Sequence, residues 1–218
     1  MSTRVKICGL TTQDDLAATV ATGADAIGVV VDVTVDTPRE LSPDAARSLV
    51  DAAPPFVDAV LVTMPESVAE AVELCEAVGP DCLQVHGLTD PSALAELSDT
   101  IAGDLLVAVD ADSVESLEAI TAHADAILID SLDPDGAGGT GETHDWDRTR
   151  RLTADLEIPI ILAGGLSPET VGSAIESVQP YAVDVSSGVE AAPGEKDHTA
   201  VRAFVETAHQ ARTTAIDQ

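Results

Sequence analysis

Two residues apart in the stretch "VKICGLT", Lys6 and Cys8 close an apolar run that breaks at Gly9. In an extended chain residues two apart share a face, so the ammonium of Lys6 is expected beside the thiol of Cys8. A neighbouring cation favours thiolate over thiol, and a thiolate serves as a base or a nucleophile. A cysteine is otherwise a small buried hydrophobe; its place at a strand end beside a lysine sets Cys8 apart. No histidine is close in sequence to activate it, and His86 is the candidate for doing so in space. A second stretch, "AILIDSLDPDGAGGTGETHDW", runs four apolar residues into Asp130 and then into a loop with Gly138, Gly139, Thr140 and Gly141. A carboxyl group at a strand mouth can be kept protonated by burial and act as a general acid. Glycines let a loop backbone close over a ligand. The plain alternative is a turn-forming aspartate on a flexible connection.

Other residues have types suited to holding a substrate. "ILAGGLSPETV" sets Gly164 and Gly165 after one apolar run, and "VDVSSGVE" sets Ser186, Ser187 and Gly188 after the next. Paired loops of this kind can grip a phosphate through backbone N–H groups, with no lysine required. Arg39, in "TPRELSP", has a planar guanidinium that can clamp a carboxylate on two hydrogen bonds, or else pair with a surface acid. Gln84 and His86 share a face of "CLQVH", and Asp184 and Ser186 share a face of the last run. His123, His144, His198 and His209 have no metal-ligand spacing, and Cys75 and Cys82 have no zinc-type spacing or nearby histidine, so no metal site is expected. Trp146 reads as a packing anchor.

These residues need elements to hold them. The apolar runs Val5–Cys8, Ala26–Val31, Asp58–Thr63, Cys82–His86, Leu105–Asp110, Ala126–Asp130, Ile158–Ala163 and Ala182–Ser186 are short, rich in Val, Ile and Leu, and bounded by turn residues. Helical spacing lies between them. "SPDAARSLVDAA" has Ser42 as N-cap and Pro43 in the first turn, and "SPETVGSAIESV" repeats the device with Ser167 and Pro168. Further helices are expected at Thr12–Thr22, Ser67–Val78, Pro91–Ile101, Val114–Ala122, Trp146–Leu156 and His198–Arg212. Eight strands alternating with eight helices, without a linker, predict one α/β domain over residues 1–218, a (β/α)8 TIM barrel with its site at the C-terminal strand ends. An open doubly wound sheet would favour a Gly-x-Gly-x-x-Gly turn after the first strand, and "CGLTTQ" is not one.

Charge narrows the partners. The 218 residues carry 39 acidic and 10 basic side chains, a net charge of −29, and lysine occurs only at 6 and 196. Nucleic acid and anionic membrane surfaces are disfavoured as partners. With 45% hydrophobic residues the chain is not a disordered acidic tail. A carboxylate-covered fold repels itself unless salt screens it, which implies a salt-rich cytoplasm, as in a halophile, and a monomer in preference to a homodimer. Three cysteines make no disulfide scaffold. The N-terminus has no signal core, and the longest uncharged run, Ile158 to Pro168, is too short to span a membrane. A soluble cytoplasmic protein is expected.

"KICGLT", "GADAIGVVV", "TPRELSP", "LQVHG", "LIDS", "GGTGETHDW", "LAGGLSPETV" and "DVSSGVEAAPGEKD" together resemble, in order, the signature blocks of phosphoribosylanthranilate isomerase, an enzyme of tryptophan biosynthesis. The resemblance implies an Amadori rearrangement of a phosphorylated aminoaldose with no metal or organic cofactor. It implies Cys8 as general base, in thiolate form with the help of Lys6, and Asp130 as protonated general acid. It further implies Arg39 at the anthranilate moiety, Asp184 at the substrate rim, and the last two loops on the phosphate. The chain departs from the family's pattern in three places: the second-strand block, where the family often has aromatic residues, reads Gly28, Val29, Val30, Val31; His144 stands before "DW" where an aromatic residue is usual; and "VDVTVDT" changes the spacing before Arg39. Indoleglycerol-phosphate synthase, another phosphate-binding barrel enzyme of that pathway, relies on a catalytic lysine pair and a glutamate, and this chain has only Lys6 and Lys196. A catalytically silent phosphosugar-binding barrel would be free to lose Cys8 or Asp130, and both are present.

Overall fold

The computed structural model describes residues 3–110, 117–130 and 146–215. Eight parallel strands close into a barrel in chain order: β1 (Arg4–Ile7), β2 (Ala26–Val30), β3 (Asp58–Thr63), β4 (Cys82–His86), β5 (Asp104–Asp110), β6 (Ala126–Asp130), β7 (Ile160–Ala163) and β8 (Ala182–Val185). Helices α1 (Gln13–Ala21), α2 (Pro43–Val50), α3 (Val68–Val78), α4 (Pro91–Thr100), α5 (Glu118–Thr121), α6 (Trp146–Thr153), α7 (Val171–Val178) and α8 (His198–Ala215) alternate with them. The strands read as continuous apolar runs because both of their faces are buried. Alternate residues such as Val5, Ile27, Leu61, Leu83, Val107, Ile127, Leu162 and Val183 pack outward under the helices. The others fill the barrel.

The strand registers stack the inward side chains in layers of four from alternate strands. From the N-terminal end upward the layers are Ala26, Cys82, Ala126 and Ala182; then Lys6, Val60, Leu106 and Ile161; then Gly28, Gln84, Leu128 and Asp184; then Cys8, Val62, Ala108 and Ala163; then Val30, His86, Asp130 and Ser186. Polar groups thus accumulate toward the C-terminal ends. The four small residues of the lowest layer help to leave a cavity of about 210 Å³ at the other end, rimmed by Arg4, Asp25, Asp58, Asp104 and Asp125. Three of the lower-end aspartates cap strand starts. Asp25, Asp81 and Asp125 accept the N–H groups of Val5, Ala59 and Leu105, each at 2.8 Å, pairing donors that burial would otherwise leave open.

The helix starts follow their caps. Thr12, Ser42, Ser67 and Asp90 each accept a backbone N–H three residues on. The expected repeat at Ser167 does not form: α7 begins at Val171, and the Ser167 hydroxyl accepts from the Glu169 N–H at 3.2 Å in a tight turn. Lys196 and Glu195 form a feature that the apolar pattern did not reveal, a short antiparallel hairpin of β9 (Glu190–Ala192) and β10 (Glu195–Lys196) beyond a single 3₁₀ turn at Ser187–Val189. Trp146 opens α6 and packs against the outer core. Among the described residues no helix is long and apolar enough to cross a membrane.

Candidate active site

Cys8 follows directly on β1, its N–H bonded to the Val185 carbonyl at 2.8 Å, so it continues the barrel ladder by one residue. Lys6, in an inner layer below it, is 3% exposed and ion-paired with Asp184 at 3.0 Å. Burial works against the Lys6 charge, but Asp184 and Cys8 more than offset it and hold the pKa above its ordinary value. Gly28 makes room for this group: a Cβ there would lie 2.8 Å from the Cys8 Sγ and 3.2 Å from the Lys6 Nζ. The thiol departs from the sequence expectation. Burial pushes its pKa up, Lys6 and Lys196 pull it down, Asp184 adds to the rise, and the net direction is upward. Free Cys8 is therefore a thiol, because one paired lysine does not outweigh removal from water.

Asp130 ends β6 in the layer above Cys8. Burial, then Asp184 and Asp110, push its carboxyl up to about 6 against the pull of Lys6. Asp110 stands beside it in the β5–β6 register. His86 shares the Asp130 layer, and burial followed by Lys6 lowers its pKa to about 4. It is neutral at pH 7, and its Nε2 lies 2.8 Å from the Gln84 amide nitrogen, which donates to it. That contact engages the ring nitrogen with Gln84. Among the described residues, Gln84 Oε1, Asp130 Oδ1, Asp184 Oδ1 and Ser186 Oγ gather at this end as buried atoms without a hydrogen-bond partner. Unpaired polar atoms in so small a space suit a polar ligand.

Arg39 lies in the loop after β2, next to the bridge between Glu40 and Val30, and its side chain reaches the loop after β8. Its Nε and Nη2 bind Glu190 side-on, with Nε–Oε1 at 2.8 Å and Nη2–Oε2 at 2.6 Å, and Nη1 reaches Thr37 at 3.3 Å. Lys196 is buried on the far side of Glu190, donating to its Oε1 at 2.8 Å and to the Ser186 carbonyl at 3.1 Å. The loops after β7 and β8 pack closely. Gly164 and Gly165 take positive φ angles of 83° and 60°, and a Cβ on Gly188 would overlap the Leu166 carbonyl. Among the described residues no cluster of His, Cys, Asp and Glu is arranged to hold a metal ion.

The profile of the family described as N-(5'phosphoribosyl)anthranilate (PRA) isomerase matches residues 5–207. The chain belongs to that family. A curated N-(5'-phosphoribosyl)anthranilate isomerase of Haloarcula marismortui is 52% identical over 98% of this chain and 100% of its own length. That of Haloferax volcanii is 53% identical over 99% of this chain and 97% of its own. The crystal structure of phosphoribosyl anthranilate isomerase from Thermotoga maritima superposes with a TM-score of 0.81 at 34% identity, covering 94% of this chain and 98% of that one. Another, with a TM-score of 0.77 at 32% identity over 94% and 98% of the two chains, holds reduced 1-(o-carboxyphenylamino)-1-deoxyribulose 5-phosphate. The relatives include many from halophilic archaea, in keeping with the charge of −29.

Within this isomerase-family barrel the expected site residues fall at one end. Lys6, Cys8, Gln84, His86, Asp130 and Asp184 line its upper interior, and Arg39, Gly164, Gly165, Ser186, Ser187 and Gly188 stand in the loops around it. Gly138, Gly139, Thr140 and Gly141 lie outside the described residues, as does His144. Sequence reasoning missed Gly28, Asp110, Glu190 and Lys196 as parts of the site. Strand parity could have found Asp110, which ends β5 as Asp130 ends β6. The two lysines of an acidic chain were a signal for Lys196, since both are buried at this end.

Proposed function

We propose that the protein isomerises N-(5'-phosphoribosyl)anthranilate to 1-(2-carboxyphenylamino)-1-deoxyribulose 5-phosphate. Asp130 gives its proton to the ribose ring oxygen and opens the ring to a Schiff base. Cys8, as thiolate, takes the C2' proton, and the resulting enolamine tautomerises to the ketone. Lys6 stabilises the thiolate, Arg39 receives the aryl carboxylate, and the loops after β7 and β8 take the phosphate. The observation that carries this reading is the stacking of Cys8 and Asp130 in adjoining inner layers, with Lys6 beneath the first and Asp110 beside the second. At neutral pH the predominant free form is the Cys8 thiol with the Asp130 carboxylate. Moving one proton from sulfur to carboxylate gives the reactive pair without changing the net charge, so the reactive fraction is constant between the two pKa values.

The test generates the unstable aminoaldose in situ from anthranilate and phosphoribosyl pyrophosphate with a separate transferase, in molar potassium chloride, and follows its fluorescence. Rapid loss on adding the protein is expected. A folded protein that leaves the signal unchanged would sink the reading. A cytoplasmic location follows from the biosynthetic role. The charge of −29 argues for a monomer, while Phe56, fully exposed in the loop before β3, argues for a covered surface; sedimentation in molar potassium chloride decides between them.

A further inference from the structure

The side-on pairing of Arg39 with Glu190 leaves a specific part of the guanidinium open among the described residues. An arginine has two edges that can each hold a carboxylate on two parallel hydrogen bonds. Glu190 fills the Nε–Nη2 edge. The terminal Nη1–Nη2 edge keeps one hydrogen on each nitrogen beyond those used by Glu190 and the long Thr37 contact. A bare Arg39–Glu190 pair would have no net charge with which to attract an anion. Lys196 restores it: its ammonium, with the side chain wholly buried, sits 2.8 Å from Glu190 Oε1, so the trio carries one net positive charge.

The trio is also fixed mechanically. The Arg39 stem lies over Gly9, where a Cβ would come 2.7 Å from its Cδ and 3.0 Å from Ser186 Oγ. The turn of the β9–β10 hairpin rests on the residue before the arginine, since a Cβ on Gly194 would lie 2.9 Å from the Pro38 carbonyl oxygen. Lys196 ties the same assembly to the Ser186 carbonyl. Burial disfavours charge on Glu190, yet its hydrogen bonds from Arg39 and Lys196 hold its carboxyl below the ordinary value. Both lysines of the chain are therefore committed to this end of the barrel, Lys6 to Asp184 and Lys196 to Glu190.

We infer that Glu190 is the positioning residue for Arg39: backed by Lys196, it aims the free terminal edge of the guanidinium at the aryl carboxylate of the substrate and so sets affinity for that end of the molecule. The inference rests on the proposed function and adds to it a residue that does not touch the reacting atoms. A residue with this role affects binding much more than chemistry, and it acts only while Arg39 is present.

The experiment measures KM and kcat for the aminoaldose in molar potassium chloride for wild type, Glu190→Gln, Arg39→Met and the double variant, with circular dichroism at the same salt to establish folding. Glu190→Gln is expected to raise KM about tenfold with kcat changed less than about threefold. In the Arg39→Met background the same change is expected to shift KM by less than about twofold. Removing one member of a buried charged trio can impair folding, so Glu190→Met/Lys196→Met, which removes an anion and a cation together, is measured as well and is expected to raise KM to the same degree. A wild-type KM in either folded variant, or effects of Glu190 and Arg39 that multiply in the double variant, would overturn the inference. Failure of the functional reading is distinct, because it would appear as no turnover by the wild type.

Discussion

Two cysteines face the interior of the same barrel, and only one of them has cations beside it. Cys8, near the C-terminal strand ends, is raised by burial and by Asp184, with Lys6 and Lys196 pulling the other way. Cys82, in the lowest layer, has Asp58, Asp104, Asp81 and Asp125 around it, and burial together with those carboxylates pushes its thiol up to about 12. The two ends also treat their polar atoms differently. The lower aspartates Asp25, Asp81 and Asp125 are spent on strand N–H groups, whereas Gln84, Asp130, Asp184 and Ser186 at the upper end keep buried oxygens unpaired among the described residues. At one end carboxylates are used to cap strand starts, although among the described residues Thr3 Oγ1 stays unpaired there; at the other, polar oxygens gather around the space a ligand would enter.

The largest expected effect separates the ends through Asp130. Asp130→Asn should lower turnover by at least about a hundredfold, as loss of a general acid does. The same change should stabilise the fold. The folded pKa of about 6 stands above the ordinary 3.8, so the native state binds this proton more tightly than the unfolded chain. Its contribution to stability is full below about pH 4 and is lost as pH rises through 6. Removing the titration should therefore raise stability by about 2 kcal/mol above pH 7, allowing for partial exposure, and by almost nothing at pH 4. Melting curves at the two pH values check this; equal shifts would deny the raised pKa.

The next effect is on the pH profile. The value of kcat/KM should fall on the acid side with a midpoint near 6 and stay flat up to the raised pKa of Cys8. A profile still rising linearly from pH 6.5 to 8.5 would mean that the thiolate alone limits the reaction. Gly28→Ala should come third, lowering kcat about tenfold, because its Cβ would press on the Cys8 Sγ and displace it from its working position. The smallest effect belongs to the other end. Ala126→Val, beside the lower cavity, should leave kcat unchanged and raise the melting temperature by a few degrees, equivalent to about 1 kcal/mol of added apolar burial. A loss of activity from Ala126→Val would blur the division between the ends.

Much of this was legible in the sequence, for physical reasons that differ by residue. The strands at Asp58–Thr63, Cys82–His86 and Ala126–Asp130 coincide with the predicted runs, since a parallel strand buried on both faces has a plain apolar signature. Parity then placed Lys6 with Cys8 and Gln84 with His86. The hairpin at Glu190–Lys196 was not legible, because its strands are very short and carry charge instead of an apolar face. Nothing in that pattern marks Glu190 and Lys196 as partners of Arg39. Gly28 was hidden as well, since the need for an absent Cβ exists only once β1 and β2 lie side by side. The direction of the Cys8 shift was not legible, because a neighbouring lysine is visible in sequence, whereas the depth of burial opposing it is not.

The most direct test of the contrast is the turnover of Cys8→Ser and Cys82→Ser beside the wild type, with the aminoaldose formed in situ in molar potassium chloride. Loss of at least about a hundredfold in the first, with the second within about twofold of wild type, is the predicted result. Near-normal turnover in a folded Cys8→Ser protein, or an equal loss in both variants, would contradict the assignment of the upper cysteine as the base.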